Sequence, residues 1–74
     1  MNDEFYHVEA AIKAGELAYA RECLRDILRV EPSADAWYLA ALVARTPEQK
    51  RQCLEKALLL DPNHTQAHLA LAQV

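Results

Sequence analysis

The phrase CLRDILRVEP, Cys23 to Pro32, returns thirty positions later as CLEKALLLDP, Cys53 to Pro62. Cys, Leu, Leu, an acid and Pro recur in register. Self-similarity at a fixed period limits a chain to architectures built by stacking one local unit. Beyond the prolines the echo continues at an offset of 31, AWYLAALV from Ala36 against AHLALAQV from Ala67. Each unit therefore reads as a helix, an acid–Pro corner and the opening helix of the next unit.

The punctuation around the repeat is helical throughout. No stretch alternates apolar and polar residues as a strand would. Asn2 is placed to cap a first helix that opens on Asp3 and Glu4. Gly15, the single glycine, falls where a left-handed C-terminal cap is wanted. A second helix is expected from about Glu16 to Val30, stopping before Pro32, with Leu17, Ala20, Leu24, Ile27 and Leu28 as its apolar stripe. Ser33 caps a third, through about Ala44. Thr46-Pro47-Glu48-Gln49 is a capping box with Pro at the first helical position, opening a fourth helix to Leu60. Asn63 with Gln66 is a second capping-box candidate, for a fifth helix running to the chain end. The expected fold class is all-α: five helices on short connections, which favour antiparallel neighbours.

Composition narrows the function classes. Seventy-four residues make one small domain, with a core worth roughly 3–5 kcal/mol net. A net charge of −3 speaks against nucleic acid. The acidic start MNDEFYHVEA lacks the features of a secretion signal, and two cysteines suit a reducing, cytoplasmic setting. The longest apolar run, AWYLAALVA, is far short of the ~20 residues of a membrane span.

The repeat resembles the tetratricopeptide repeat family. Trp37 and Ala41 match the first-helix positions of that pattern. Ala20, Leu24, Ile27, Leu28 and Pro32, preceded by Gly15-Glu16, match the second helix of one unit, and Leu54, Ala57, Leu58, Asp61 and Pro62 that of the next. Ala67, Leu71 and Ala72 resemble the opening of a third. The resemblance divides the chain into about two and a half repeats, over 1–32, a shortened 33–62 and a half repeat 63–74. Val8, Ala44 and Lys50 depart from the family pattern, and the second unit is shortened near Arg45-Thr46.

The resemblance implies a right-handed solenoid segment without cofactor or catalysis. It implies a concave groove that takes a peptide or a helix of a protein partner. The groove positions are Phe5, Glu9 and Ile12, then Asp35, Tyr38, Leu42 and Arg45, then Gln66, Leu69 and Gln73. Phe5, Tyr38 and Arg45 are of the types enriched in interface hot spots, although Phe5 and Tyr38 serve equally as packing between helices. The positions at which some family members clamp a terminal carboxylate are held by Phe5, Glu9, Leu39, Gln66 and Ala70, so that clamp is not expected.

Other chemistry is weighed residue by residue. His64 and His68 stand at i, i+4, a spacing that can present two metal ligands, yet no third ligand accompanies them at motif spacing. Cys23 and Cys53 occupy equivalent repeat positions, roughly 10 Å apart by helix packing and beyond disulfide reach. Arg21, Arg25 and Arg29 form a ladder with Lys50, Arg51 and Lys56 nearby, but Glu22, Asp26, Glu31 and Glu55 are interleaved, which reads as ordinary surface pairs. One Ser and no phosphate-cradling Gly loop give an enzyme no footing. A final helix without a partner would leave Ala67, Leu71 and Val74 uncovered. That face is expected either to continue into further repeats or to drive self-association.

Overall fold

Local capping chemistry starts and stops the helices, and the computed structural model describes residues 3–74, with side chains from Phe5 onward. The expected cap Asn2 lies outside the described residues. Five helices account for these residues, with no strand among them: α1 (Asp3–Lys13), α2 (Leu17–Val30), α3 (Ala34–Leu42), α4 (Pro47–Leu60) and α5 (Thr65–Ala72).

The turn after α1 is a Schellman motif. Glu16 N–H donates to Ala11 O at 2.9 Å and Gly15 N–H to Ile12 O at 3.1 Å, with Gly15 at φ 80°. A Cβ at Gly15 would meet nothing within 4 Å, so the need for glycine is conformational. Gly15→Ala is expected to cost about 1 kcal/mol. Chemical denaturation that finds parental stability in this variant would refute the assignment.

Ser33 Oγ accepts from Ala36 N–H at 3.1 Å and Thr46 Oγ1 from Gln49 N–H at 3.1 Å, as their residue types predict. Gln49 returns its Oε1 to the N–H of Arg45 at 3.3 Å, one residue before the cap, so the box is closed loosely. Three boundaries differ from expectation. Helix α3 ends at Leu42, with Val43 as its C-cap. Helix α5 is capped by His64 rather than Asn63 and ends at Ala72.

Packing follows chain order. Helix α3 packs most extensively against α4, while α1 lies on α2, α2 on α3, α4 on α5, and α1 also reaches α3. Two small apolar clusters result. Val8, Ala11, Ala20, Leu24, Leu39 and Val43 close the first, and Ala41, Leu54, Ala57 and Ala67 the second. Tyr38 packs against both. Leu17, expected in the α2 stripe, is 38% exposed at the first position of the helix. The radius of gyration is 11.3 Å, the value of about 11 Å that globular packing gives at this length, so the five helices share one compact body. No helix among the described residues is long and apolar enough to cross a membrane.

Candidate functional site

A cleft of about 450 Å³ lies between helices α1 and α3. Phe5, Glu9 and Ile12 form its α1 wall, at helical spacing along one face. Asp35, Tyr38 and Leu42 form the α3 wall, and Gln66 of α5 closes one end. Lys13 and Leu39 also line it. Seven residues expected on a binding face therefore converge. Its lining mixes the apolar side chains of Phe5, Ile12, Tyr38, Leu39 and Leu42 with the carboxylates of Glu9 and Asp35 and the ammonium of Lys13.

Arg45, Leu69 and Gln73 stand apart from this cleft. Arg45 follows the end of α3, and its N–H is taken by Gln49. With Gln73 it borders a shallow hollow at the α3–α4 turn, beside Lys50 and Val74. Leu69 is 61% exposed on α5. With α3 ending at Leu42, its cleft face has no further turn on which to carry Arg45.

The residue that ties the cleft to the rest of the fold is His64. It is 8% exposed. Its Nδ1 accepts from Ala67 N–H at 3.1 Å, capping α5, while its Nε2 lies 2.8 Å from Asp35 Oδ1 at the first turn of α3. A backbone N–H can only donate, so Nδ1 is the acceptor and the ring proton sits on Nε2, donated to the carboxylate. The ring also leans on Tyr38, with centroids 5.4 Å apart. One side chain thus caps α5, anchors Asp35 and backs Tyr38, the last two being cleft residues. His68 is spent locally, its Nε2 2.7 Å from Pro62 O. The two imidazoles do not share a site, and no group of three His, Cys, Asp or Glu side chains suited to a metal gathers among the described residues.

Ala67, Leu71 and Val74, the residues expected on a self-association face, differ in exposure. Ala67 is fully buried in the second cluster, and Leu71 packs against it. Only Val74 is exposed, at 46%. The α4 residues Leu54 and Ala57 belong to the same cluster as Ala67, so the apolar stripe of α5 faces inward onto α4 rather than outward.

The cysteines are free, half-buried and in different surroundings. Cys23 packs on the first cluster and Cys53 on the second. Burial pushes the Cys53 thiol pKa up, partly countered by the Lys56 ammonium nearby, so Cys53 has little thiolate character at neutral pH. Nor does the arginine ladder resolve into the expected alternating pairs. Arg29 pairs with Asp26, but Arg21 Nη1 donates to Val43 O at 3.0 Å, and Lys56 Nζ sits 4.6 Å from the centroid of the Trp37 ring.

No family model, curated protein or solved structure matches the chain.

Proposed function

We propose that this chain is a non-catalytic protein-interaction module of the tetratricopeptide type, its helix pairs stacked as a right-handed solenoid segment. Its working surface is the cleft between α1 and α3, which receives a peptide or a helix of a protein partner. One observation carries the reading: Phe5, Glu9, Ile12, Asp35, Tyr38, Leu42 and Gln66, assigned to a binding face by the repeat pattern, line one cleft. Packing in chain order supports it as well.

The chemistry of the cleft suits recognition without catalysis. Phe5 and Tyr38 are half-buried in it and offer aromatic surface that costs little entropy to immobilise. Leu42 is 40% exposed and adds apolar area at the rim. Glu9 and Asp35 orient a ligand through charge, and Asp35 is held in place by His64. The other surface residues expected to contribute, Arg45, Leu69 and Gln73, act at most on ligand segments that continue past the cleft.

The test begins with a peptide selected against the full chain from a displayed library. Phe5→Ala with Tyr38→Ala should weaken that peptide at least about tenfold while helicity persists. Glu9→Lys, at an exposed position, should change its association rate and salt dependence. Unchanged affinity in the folded double variant overturns the reading.

A further inference from the structure

A second cleft opens on the α2–α4 side of the molecule. Helices α2 and α4 both lie on α3 but are not among the extensively packed pairs, and about 370 Å³ separates them. These are the two helices that carry the repeated phrase. Its floor is apolar, built from Leu24, Leu28, Trp37, Val43 and Cys53. Trp37 and Leu28 are only half-buried there, so the floor presents apolar surface to whatever enters.

The walls are cationic. Arg21 and Arg25 stand on the α2 side, and Lys56 with Gln49 and Gln52 on the α4 side. No carboxylate among the described residues lines it. Helical geometry explains the segregation that linear sequence hides. Arg21, Leu24, Arg25 and Leu28 fall at i, i+3, i+4 and i+7 and share one face, whereas Glu22 and Asp26 are rotated about 100° from the arginines that precede them. Asp26 lines a different hollow, with His7 and Tyr19, and pairs with Arg29. On α4, Gln49, Gln52, Cys53 and Lys56 share a face in the same way, and Glu48 and Glu55 lie outside it. A chain of net charge −3 thus concentrates three cations on one apolar cleft.

Two of those cations are already held in position. Arg21 is fixed by its bond to Val43 O, and Lys56 by the face of Trp37. Fixing them before a ligand arrives removes part of the ordering cost of binding.

We propose that this cleft is a docking site for an acidic amphipathic segment of a protein partner, distinct from the α1–α3 cleft. Apolar side chains of the segment lie on Trp37 and Leu28, and flanking carboxylates meet Arg21, Arg25 and Lys56. Arginine recognises a carboxylate with paired donors, which favours Asp and Glu as the flanking residues. A peptide rather than a nucleic acid is the occupant, because Trp37 is the one aromatic ring on a floor otherwise of Leu24, Leu28, Val43 and Cys53 and a net-negative chain repels an extended polyanion on either side of a short cationic patch.

Trp37 is the only tryptophan and lines the cleft, so its fluorescence reports occupancy directly. The probes are a synthetic helical peptide with Leu on one face flanked by Glu, its Gln-for-Glu counterpart, and a single-stranded oligothymidine. The acidic peptide should shift Trp37 emission saturably and bind more weakly as salt rises. The Gln peptide and the oligonucleotide should bind at least about tenfold more weakly. Arg25→Glu with Lys56→Glu should reduce the acidic peptide's affinity at least about tenfold. Arg25→Glu alone, at an exposed position, should do so in part. Phe5→Ala with Tyr38→Ala should leave it unchanged, separating this site from the α1–α3 cleft. Absence of any Trp37 shift, equal binding by the Gln peptide, tighter binding by the oligonucleotide, or unchanged affinity in folded Arg25→Glu each overturns the proposal.

Discussion

Leu54→Ala is expected to cost about 3 kcal/mol and to leave the domain only marginally stable at room temperature. Leu54 is fully buried on α4. It shares the second cluster with Ala41, Ala57 and Ala67, contributed by α3, α4 and α5. Its fully buried neighbours are alanines, which have no side-chain length to close a cavity, so any collapse must come from the partly buried residues around them, such as Trp37 and Leu71. A domain of this size draws only roughly 3–5 kcal/mol net from its core, so one lost leucine removes most of the margin. Urea unfolding followed by far-ultraviolet circular dichroism measures the effect. Leu59→Ala is the control: that residue is 81% exposed on the same helix, and its truncation should fall within about 0.5 kcal/mol of the parent. A Leu54→Ala midpoint equal to that of Leu59→Ala would refute the assignment of α4 as the element that joins the second cluster.

His64→Ala is expected to cost about 2 kcal/mol, as the sum of a lost helix cap and a lost hydrogen bond to a carboxylate. The side chain caps Ala67 N–H and donates to Asp35, so its removal loosens α5 and frees a cleft carboxylate together. His64→Asn restores a cap acceptor but not the reach to Asp35, and should recover about half the loss. Asp35→Asn should spare the cap. Hydrogen exchange at Ala67 separates the two roles: the amide should exchange faster in His64→Ala and stay protected in Asp35→Asn. Equal exchange in parent and His64→Ala would show that the imidazole does not cap the helix.

Much of this was legible along the chain. Ser33 and Thr46 announced their caps by residue type, Gly15 its left-handed corner, and the recurring acid–Pro steps the ends of α2 and α4. Seven of the cleft residues were among the groove positions implied by the family resemblance. His64 as a cap was missed, because Asn63 with Gln66 is the stronger local signal and an i, i+4 histidine pair suggests a metal. The register held the answer: an offset of 31 places His64 opposite Ser33, the cap of α3. The burial of Ala67 was missed for a different reason. An alanine stripe at the last helix reads the same whether it faces α4 or solvent.

The segregation of charge on α2 and α4 was present as helical phase, but phase has no consequence until helices are set beside one another. Read in line, Arg21, Glu22, Arg25 and Asp26 alternate in sign and cancel. Read in three dimensions, the arginines border the α2–α4 cleft and Asp26 turns to another surface. Local interactions are short-ranged, so caps, corners and apolar stripes are written within a few residues and the sequence alone determined five helices and their order of stacking. Which faces meet and which stay apart depends on contacts between residues distant in the chain, such as His64 to Asp35 and Arg21 to Val43. Only the tertiary structure decided that α2 and α4 stand apart over Trp37, that α5 buries Ala67, and that the cleft along α3 ends at Leu42.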